Sequence, residues 1–195
     1  MTLDKYSQKR NFSSTAEPEA EIKKSQNELI FVVQKHAASH LHYDFRLELD
    51  GVLKSWAIPK GPSMNPEEKR LAIMVEDHPY NYKDFEGTIP EGNYGAGTVI
   101  VWDNGTYTPS EEKYKGSVEN KLKEDLDEGH LSFILKGKKL KGEFSLVKFK
   151  GKQDNAWLLI KKDDPYATDD DILKKDKSVI SNATLESLEN KSAKS

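Results

Sequence analysis

The 195-residue sequence contains no cysteine. This absence excludes a disulfide framework and any metal site built on thiolates, so a bound metal would have to rest on His, Asp and Glu side chains. The sequence also lacks the run of roughly 18–20 apolar residues that crosses a bilayer, and its N-terminus, MTLDKYSQKR, lacks the apolar segment of a signal peptide. We therefore expect a cytoplasmic protein.

A large excess of charge of one sign is also missing. The chain carries 30 Lys and Arg against 33 Asp and Glu, which gives a formal net charge of −3. This balance argues against a protein that coats DNA through bulk positive charge, although a local basic patch stays compatible with it. Apolar residues make up only 35% of the chain, which predicts solvated segments beside one domain with a core.

Changes in amino-acid composition divide the chain into three parts. Residues 1–27 are polar and predict an N-terminal arm rather than a core element. Residues 28–165 hold the segments with strand composition. Residues 166–195 predict a charged, flexible tail, with a short helix near its end. This organisation indicates a single domain with polar extensions at both termini.

Residues 28–165 contain about eight short segments rich in β-branched and aromatic residues, separated by turn signals. Asp50-Gly51 and Asn104-Gly105 are typical of two-residue hairpins, and the stretch Ser117–Gly129 predicts one short helix. A long loop rich in Gly, Pro, Asn and Tyr follows Pro79 and reaches Gly97. The pattern predicts a mainly β fold, either sandwich or barrel. We favour a small closed antiparallel barrel, because closure removes exposed strand edges.

The segment Leu41–Asp50, LHYDFRLELD, alternates apolar and polar residues without a break. In an extended strand, this alternation places the apolar residues on one face, against a core, and the polar residues on the other. The polar face carries His42, Asp44, Arg46 and Glu48. An imidazole, a carboxylate and a guanidinium in register are the groups that hold a divalent cation beside a phosphate.

His42 and Asp44 can share a metal ion, and a third ligand must come from elsewhere. His36 and His40 are the nearby candidates, since three of the chain's five histidines fall within seven positions. A histidine taken alone is more often a structural, hydrogen-bonded residue, but the clustering of three histidines beside Asp44 and Arg46 favours a metal or anion site.

Arg46 offers a planar fork of donors suited to phosphate oxygens, or alternatively a salt bridge to a neighbouring carboxylate. His78 follows a predicted strand and opens the Gly-rich loop, where it can donate a hydrogen bond to phosphate or protonate a leaving oxygen. Tyr82 can add a phenolic donor or simply pack against the fold. Lys60 and Arg70 could form a basic rim for a nucleic-acid backbone.

Two other functional classes are compatible with parts of this pattern. His42, Asp44 and His78 could form the two-histidine, one-carboxylate triad of a non-haem iron oxygenase. No arginine follows Arg70 in the sequence, however, so the arginine that would bind an oxo-acid cosubstrate is missing. A nucleic-acid binding module without catalysis is the other alternative.

Two long strings carry a family resemblance: KHAASHLHYDFRLELDGVLKSWAIPKGPS and EDHPYNYKDFEGTIPEGNYGAG. Both are similar to the 3′-phosphoesterase domain of bacterial ATP-dependent DNA ligase D, which also has self-standing archaeal and bacterial relatives. The similarity extends from the arm, KRNFSSTAEP, to WLLIKK, which is most of the chain.

The resemblance implies a manganese-dependent enzyme that heals DNA 3′ ends, with Co²⁺ or Zn²⁺ as possible substitutes. Such an enzyme removes a terminal ribonucleoside and then the 3′-phosphate from a primer–template, and leaves a hydroxyl for ligation. The implied metal ligands are His36, His42 and Asp44. The implied phosphate-binding and catalytic residues are Arg46, His78 and Tyr82, with Arg10 and Glu17 from the arm. The implied further polar site residues are Lys60, Arg70 and Glu76.

One departure from the family pattern is visible, because Asn11 stands where an acidic residue is expected. This departure affects the arm's contribution and the ribonucleoside-removing step. The resemblance further implies a self-standing, monomeric, nucleoid-associated form that meets a separate DNA ligase or polymerase.

Overall fold

The computed structural model describes residues 3–25, 28–110, 117–151 and 153–192. Its strands are β1 (Ile30–Ala37), β2 (Leu41–Leu49), β3 (Val52–Ile58), β4 (Lys69–Met74), β5 (His78–Pro79), β6 (Gly87–Ile89), β7 (Gly97–Pro109), β8 (His130–Gly137), β9 (Lys141–Lys148) and β10 (Ala156–Lys161). Its helices are α1 (Leu3–Gln8), α2 (Val118–Glu128) and α3 (Leu185–Ser192), with short 3₁₀-helices at Tyr80–Asp84 and Ile172–Lys174. Within these described ranges, no helix is both long enough and apolar enough to cross a membrane.

Eight of the strands close into an antiparallel barrel. They pair in the order β1-β2-β3-β4-β10-β9-β8-β7, and β7 pairs again with β1. The short strands β5 and β6 add to β3 and β7 outside this ring. Every strand of the ring therefore has a partner on both sides, which removes the exposed edges of so many short strands. The predicted mainly β, closed antiparallel barrel is confirmed.

The apolar face of β2 contributes to the main core of the barrel. Tyr43, Phe45, Leu47 and Leu49 are buried there together with aromatic residues from β3, β7 and β10. Burial of each such side chain contributes roughly 1.5–3 kcal/mol relative to exposure. The alternation along β2 therefore fixes which face of the strand turns away from the core.

A second apolar cluster covers part of the barrel's outer surface. Val32, Leu53 and Val99 alternate with residues of the main core on their strands and pack in this separate cluster. Tyr6 of α1 and Tyr82 pack on them. The expectation that the arm holds no core element is wrong for Tyr6, which is 0% exposed. The polar face of β2 is thus buried between the barrel wall and an outer layer, rather than open to solvent.

One of the two predicted hairpins is present. Asp50 and Gly51 have φ of 57° and 74°, the left-handed conformations that a tight two-residue turn requires. Asn104-Gly105, in contrast, is not a turn, because β7 continues through it and pairs with β1 on one side and β8 on the other. A Cβ at Gly105 would collide with the backbone carbonyl of Lys136, so glycine serves close strand approach at this position.

The predicted helix is present as α2. The Ser117 hydroxyl accepts a hydrogen bond from the Asn120 amide at 3.1 Å, and Gly129 ends the helix with φ of 81°. Both ends therefore carry the capping residues that the sequence indicated.

The segment Pro79–Gly97, expected to be a long loop, contains β6, a 3₁₀-helix and part of β5. These short elements form because the segment packs on the outer surface of the barrel through Tyr82, Phe85 and Ile89. The expected irregular loop is confined to the stretch between β6 and β7.

The C-terminal segment lies against the barrel where it is described. Ile172 joins the main core, the Trp102 indole donates a hydrogen bond to the Lys175 carbonyl at 2.6 Å, and the Val179 amide donates to the Val101 carbonyl at 2.9 Å. The predicted arm and tail also include residues 1–2, 26–27 and 193–195, which lie outside the described residues. The three-part division of the chain stays a prediction.

Candidate active site

A pocket of about 280 Å³ lies on the outer surface of the barrel, between β1, β2, β3 and the outer layer. Nine of the eleven predicted site residues line it. These nine are Arg10, Glu17, His36, His42, Asp44, Arg46, Glu76, His78 and Tyr82. The arm, two neighbouring strands and the segment after β4 therefore converge on one place.

The pairing of β1 with β2 explains why two histidines meet. In this antiparallel register His36 lies opposite His42, and Gln34 lies opposite Asp44. Partners across a ladder share a face of the sheet, so the two imidazoles come together with their ring centroids 4.7 Å apart. The sequence left His36 and His40 open as the third ligand, and the register selects His36.

Both imidazoles turn a nitrogen toward the same carboxylate oxygen. His36 Nδ1 lies 3.6 Å and His42 Nε2 lies 3.8 Å from Asp44 Oδ2. The remaining ring nitrogens face carbonyl oxygens, which can only accept. His36 Nε2 thus donates to Gly95 O at 2.9 Å, and His42 Nδ1 donates to His40 O at 2.9 Å. In the form that binds a metal ion, each ring would therefore present the lone pair of the nitrogen that faces Asp44.

This donor set fits a divalent metal ion. One atom from each of His36, His42 and Asp44 lies within 4.8 Å of the other two. Two neutral imidazoles and one carboxylate suit Mn²⁺, Co²⁺ or Zn²⁺, and backbone carbonyls orient both rings, as is usual around metal ligands. His40 contributes its carbonyl oxygen, whereas its exposed side chain stays outside the group.

Arg46 lies on the same face of β2, next to the candidate metal ligands. Its Nη2 is 3.3 Å from Asp44 Oδ2, its Nε donates to Gln34 at 2.8 Å, and its Nη1 donates to Ser55 at 2.9 Å. Although burial opposes ionisation, the Arg46 guanidinium holds the pKa of Asp44 well below its usual range. The carboxylate is thus ionised and ready to bind a cation.

Gln34 and Ser55 were not predicted from the sequence, yet they fix the direction of the Arg46 side chain. Ser55 is the pairing partner of Arg46 on β3, and Gln34 is the partner of Asp44 on β1. In the sequence, Gln34 and Ser55 stand out only as polar residues within otherwise apolar strands. Their role in holding Arg46 can be inferred only once the strand register is known.

On the other side of the pocket, residues of the arm form a buried network of hydrogen bonds and ion pairs. Arg10 Nε donates to Glu17 Oε1 at 2.9 Å, and Tyr82 OH donates to the same oxygen at 2.8 Å. Arg10 Nη1 lies 3.3 Å from Glu76 Oε1, and Lys9 donates to the other oxygen of Glu76 at 2.9 Å. Burial, together with the Glu17 carboxylate, raises the pKa of Tyr82 far above its usual value, so the phenol stays protonated.

His78 is buried and neutral in this arrangement. Its Nδ1 donates to Glu76 O at 3.0 Å, so its Nε2 accepts from Arg10 Nη2 at 3.2 Å. Burial, with the nearby Arg46 and Arg10 charges, lowers the pKa of His78 well below its usual value. Neither ring nitrogen keeps a proton for a phosphate oxygen here, which differs from the donor role expected from the sequence.

His78 is also absent from the convergent metal-binding group among the described residues. Its Nε2 is occupied by Arg10, so it does not complete a triad with His42 and Asp44. The triad of His42, Asp44 and His78 on which the non-haem iron alternative rested is therefore not formed.

Three residues on the polar strands or rims lie elsewhere. Lys60 and Arg70 line a separate depression with Glu68, to which Arg70 is paired. Glu48 is buried and accepts hydrogen bonds from the Ser25 and Ile30 amides at 2.8 and 3.0 Å, which fastens the end of the arm to β2. The structure thus separates Lys60 and Arg70 from the nine residues that it brings together.

Asn11, the departure from the family pattern, lies on the arm beside Arg10. Its side-chain oxygen accepts from the Ser13 hydroxyl at 2.6 Å and closes a local turn. Asn11 does not line the pocket.

Comparison with known proteins agrees with the resemblance seen in the motifs. The family model of the DNA ligase D 3′-phosphoesterase domain matches residues 34–148, more than half of the chain. A "Multifunctional non-homologous end joining protein LigD" of Pseudomonas aeruginosa is 50% identical over 191 residues, which cover 94% of this chain and 22% of that protein.

The "Multifunctional non-homologous end joining protein LigD" of Mycolicibacterium smegmatis is 42% identical over 157 residues, covering 80% of this chain and 20% of that protein. The "Multifunctional non-homologous end joining DNA repair protein LigD" of Mycobacterium tuberculosis is 41% identical over 157 residues, covering 80% and 19%. The chain thus spans about a fifth of the length of these curated relatives. The strand motifs, the family model and the relatives all indicate the same family. The chain therefore belongs to the DNA ligase D 3′-phosphoesterase domain family.

Proposed function

We propose that this protein is a metal-dependent phosphoesterase that heals DNA 3′ ends during end-joining repair. The observation that carries the proposal is the convergence of His36, His42 and Asp44 beside the buried Arg46 guanidinium. Family membership and the names of the relatives, which refer to non-homologous end joining, support DNA as the substrate.

The charges around the pocket explain a requirement for metal. Lys9, Arg10 and Arg46 face the carboxylates of Glu17, Glu76 and Asp44, with which they pair. The paired side chains alone therefore offer little net positive charge to a phosphate. A divalent cation held by His36, His42 and Asp44, with Mn²⁺ as our first choice and Co²⁺ or Zn²⁺ as alternatives, would supply that charge and polarise a phosphoryl oxygen.

The side chains orient the ester and stabilise charge on it. Arg46 is fixed by Gln34 and Ser55, and its free N–H directions can donate to phosphoryl oxygens as negative charge builds there. Tyr82, which stays protonated, can redirect its hydroxyl from Glu17 to the phosphate. His78, as a neutral imidazole, keeps Arg10 aimed into the pocket.

The proposed reaction on a 3′-phosphate is hydrolysis of a monoester. A water oxygen bonds to phosphorus, the bond from phosphorus to the 3′-oxygen breaks, and that oxygen takes a proton. The products are a 3′-hydroxyl and inorganic phosphate. The same site is proposed to act first on the diester that joins a terminal ribonucleoside, which releases that nucleoside and leaves a 3′-phosphate.

The experiment is phosphate release from a 3′-phosphorylated primer–template by metal-free protein, with and without added Mn²⁺. We expect release only with metal. His42→Ala and Asp44→Ala should each lose activity, with about 3–4 kcal/mol of barrier for the lost metal charge. His78→Ala should lose activity because Arg10 is no longer held in place. Circular dichroism of all three variants should stay that of the native fold. A primer ending in one ribonucleotide tests the diester step on the same samples.

Two results would contradict this function. Wild-type rates in all three variants would remove the residues from the chemistry. Tight primer–template binding without release under any metal would favour the binding module instead. We further propose that the protein acts as a monomer at the cytoplasmic nucleoid, with a DNA ligase or polymerase as a functional partner.

A further inference from the structure

One aromatic ring at the mouth of the pocket has no part in the chemistry proposed above. Tyr94 lines the active-site pocket and also the adjoining groove that Lys5, Gln8 and Asn155 help to form. Tyr94 is 48% exposed, whereas Tyr82 in the same pocket is 3% exposed. A large ring kept in solvent at the entrance of a charged site is available for contact with a ligand.

The backbone around Tyr94 is held on both sides. The carbonyl of its neighbour Gly95 accepts the hydrogen bond from His36 Nε2 at 2.9 Å. The side chain of Asn93 accepts from the Ser14 hydroxyl of the arm at 2.7 Å. The ring is therefore presented from a fixed turn, directly next to a metal-ligand candidate.

Two cationic side chains lie against the Tyr94 ring. Lys9 Nζ lies over Tyr94, 4.4 Å from the ring centroid and 3.1 Å from its hydroxyl, and Arg10 Cζ lies 5.6 Å from the centroid. An aromatic ring beside cations is a combination with which proteins hold single-stranded nucleic acid, and the ring stacks on a base. Because Lys9 and Arg10 are both paired with Glu76, the ring rather than net charge would supply most of the contact here.

The size of the pocket indicates which part of a nucleotide reaches this ring. At about 280 Å³ the pocket lies at the lower end of the sizes of ligand sites, which usually measure roughly 300–1,000 Å³. It can accept the phosphate and the sugar that carries it, and the base is then left at the mouth. Tyr94 is the exposed aromatic residue found there.

We propose that Tyr94, with Lys9 beside it, forms a stacking subsite for the base of the 3′-terminal nucleotide. This inference rests on the proposed function, because it requires the terminal phosphate to occupy the pocket. Every base has a π face, so the subsite needs a base without selecting among the four. The subsite would favour a damaged or unpaired end, where the base can leave the duplex, over an internal position, where the base stays paired.

The test compares two primer–templates that differ only at the 3′-phosphorylated terminal nucleotide. One carries adenine, and the other carries an abasic tetrahydrofuran residue. Binding is measured by fluorescence anisotropy without added metal, so that the 3′-phosphate is not removed during the measurement, and phosphate release is followed in a separate reaction with Mn²⁺. The variants are Tyr94→Ala, Tyr94→Phe, which keeps the ring, and Tyr166→Ala, a control at an exposed tyrosine that does not line the pocket.

We expect Tyr94→Ala to lose about 5- to 150-fold in affinity for the adenine end, the range that one stacked base contributes. The same variant should bind the abasic end as wild type does. Tyr94→Phe and Tyr166→Ala should bind both ends as wild type does.

An equal loss on both ends, or no loss on the adenine end, overturns the stacking subsite. Failure of the proposed function is a different result, namely that wild-type protein releases no phosphate from either end. The binding comparison does not require turnover, so it decides the role of Tyr94 in that case as well. Thermal unfolding of each variant confirms that the comparison is made on folded protein.

Discussion

Replacing Arg10 with methionine should destabilise the protein strongly, although Arg10 belongs to the arm and not to the barrel. The Arg10 and Glu17 side chains are only 4% and 0% exposed, and their nitrogen and oxygen lie 2.9 Å apart. Arg10→Met leaves the Glu17 carboxylate buried without a cation. Removal of one partner from a buried pair costs about 3–5 kcal/mol.

The geometry places the expected cost near the lower end of that range. Glu17 keeps hydrogen bonds from Tyr82 at 2.8 Å and Thr15 at 3.1 Å, and Glu76 keeps its ion pair with Lys9. We therefore expect a loss of about 3 kcal/mol in the free energy of unfolding. Adding Glu17→Gln to Arg10→Met should recover part of this loss, with a coupling energy on the order of 1–3 kcal/mol.

Urea unfolding followed by tryptophan fluorescence measures these free energies, because all three tryptophans are buried. Lys23→Met is the matched control in the same arm, where an exposed lysine pairs with an exposed glutamate, and its transition midpoint should stay unchanged. A loss below about 1 kcal/mol for Arg10→Met, or strict additivity in the double variant, would refute the claim that the arm is held by a buried charge network.

Two further predictions concern protonation and strand packing. His78 is neutral in the folded protein, whereas an unfolded histidine is protonated below about pH 6.5. The unfolded state therefore binds the extra proton, and stability should fall as pH drops below 7, by up to about 1.4 kcal/mol per pH unit for this group. His78→Gln should flatten that dependence in urea unfolding between pH 7.5 and 5.5, and an unchanged slope would contradict the neutral assignment. Gly105→Ala should lower the free energy of unfolding by about 1–3 kcal/mol or more, because its Cβ meets the Lys136 carbonyl. Thr106→Ala should lower it much less in the same urea unfolding assay. A Gly105→Ala protein as stable as wild type would argue against close strand contact at this point.

The sequence predicted those features that depend on local periodicity or on a single capping residue. The alternation along Leu41–Asp50 identified the core face of β2, and Ser117 and Gly129 marked the ends of α2. Asn104-Gly105 misled because an Asn-Gly pair satisfies a turn and a tight strand crossing equally well. Only the two neighbouring strands, which are distant in sequence, decide between these uses.

The candidate site shows the same division. His42, Asp44 and Arg46 follow from one strand, and the pairing of β1 with β2 adds His36. Gln34 and Ser55 could not be recognised, because their role is to hold Arg46 across the ladder. The neutral state of His78 was equally hidden, since it results from burial and from an arginine 68 positions away in the chain.

The position of Lys60 and Arg70 could not be predicted from the sequence either, because it depends on how the strands pack. Both were associated with the site through the resemblance, while the structure places them in another depression on the barrel surface. Under the proposed function, both side chains would contact a longer stretch of nucleic acid rather than the reacting phosphate.

The central claim is that His36, His42 and Asp44 bind one divalent cation, and Mn²⁺ titration followed by electron paramagnetic resonance tests it without any substrate. When Mn²⁺ is added to wild-type protein or to Tyr166→Ala, the signal of free Mn²⁺ should stay absent until one equivalent of Mn²⁺ has been added. With His42→Ala or Asp44→Asn, the signal of free Mn²⁺ should appear at full strength from the first addition. One equivalent of tightly bound Mn²⁺ in a folded protein that carries both substitutions would contradict the account.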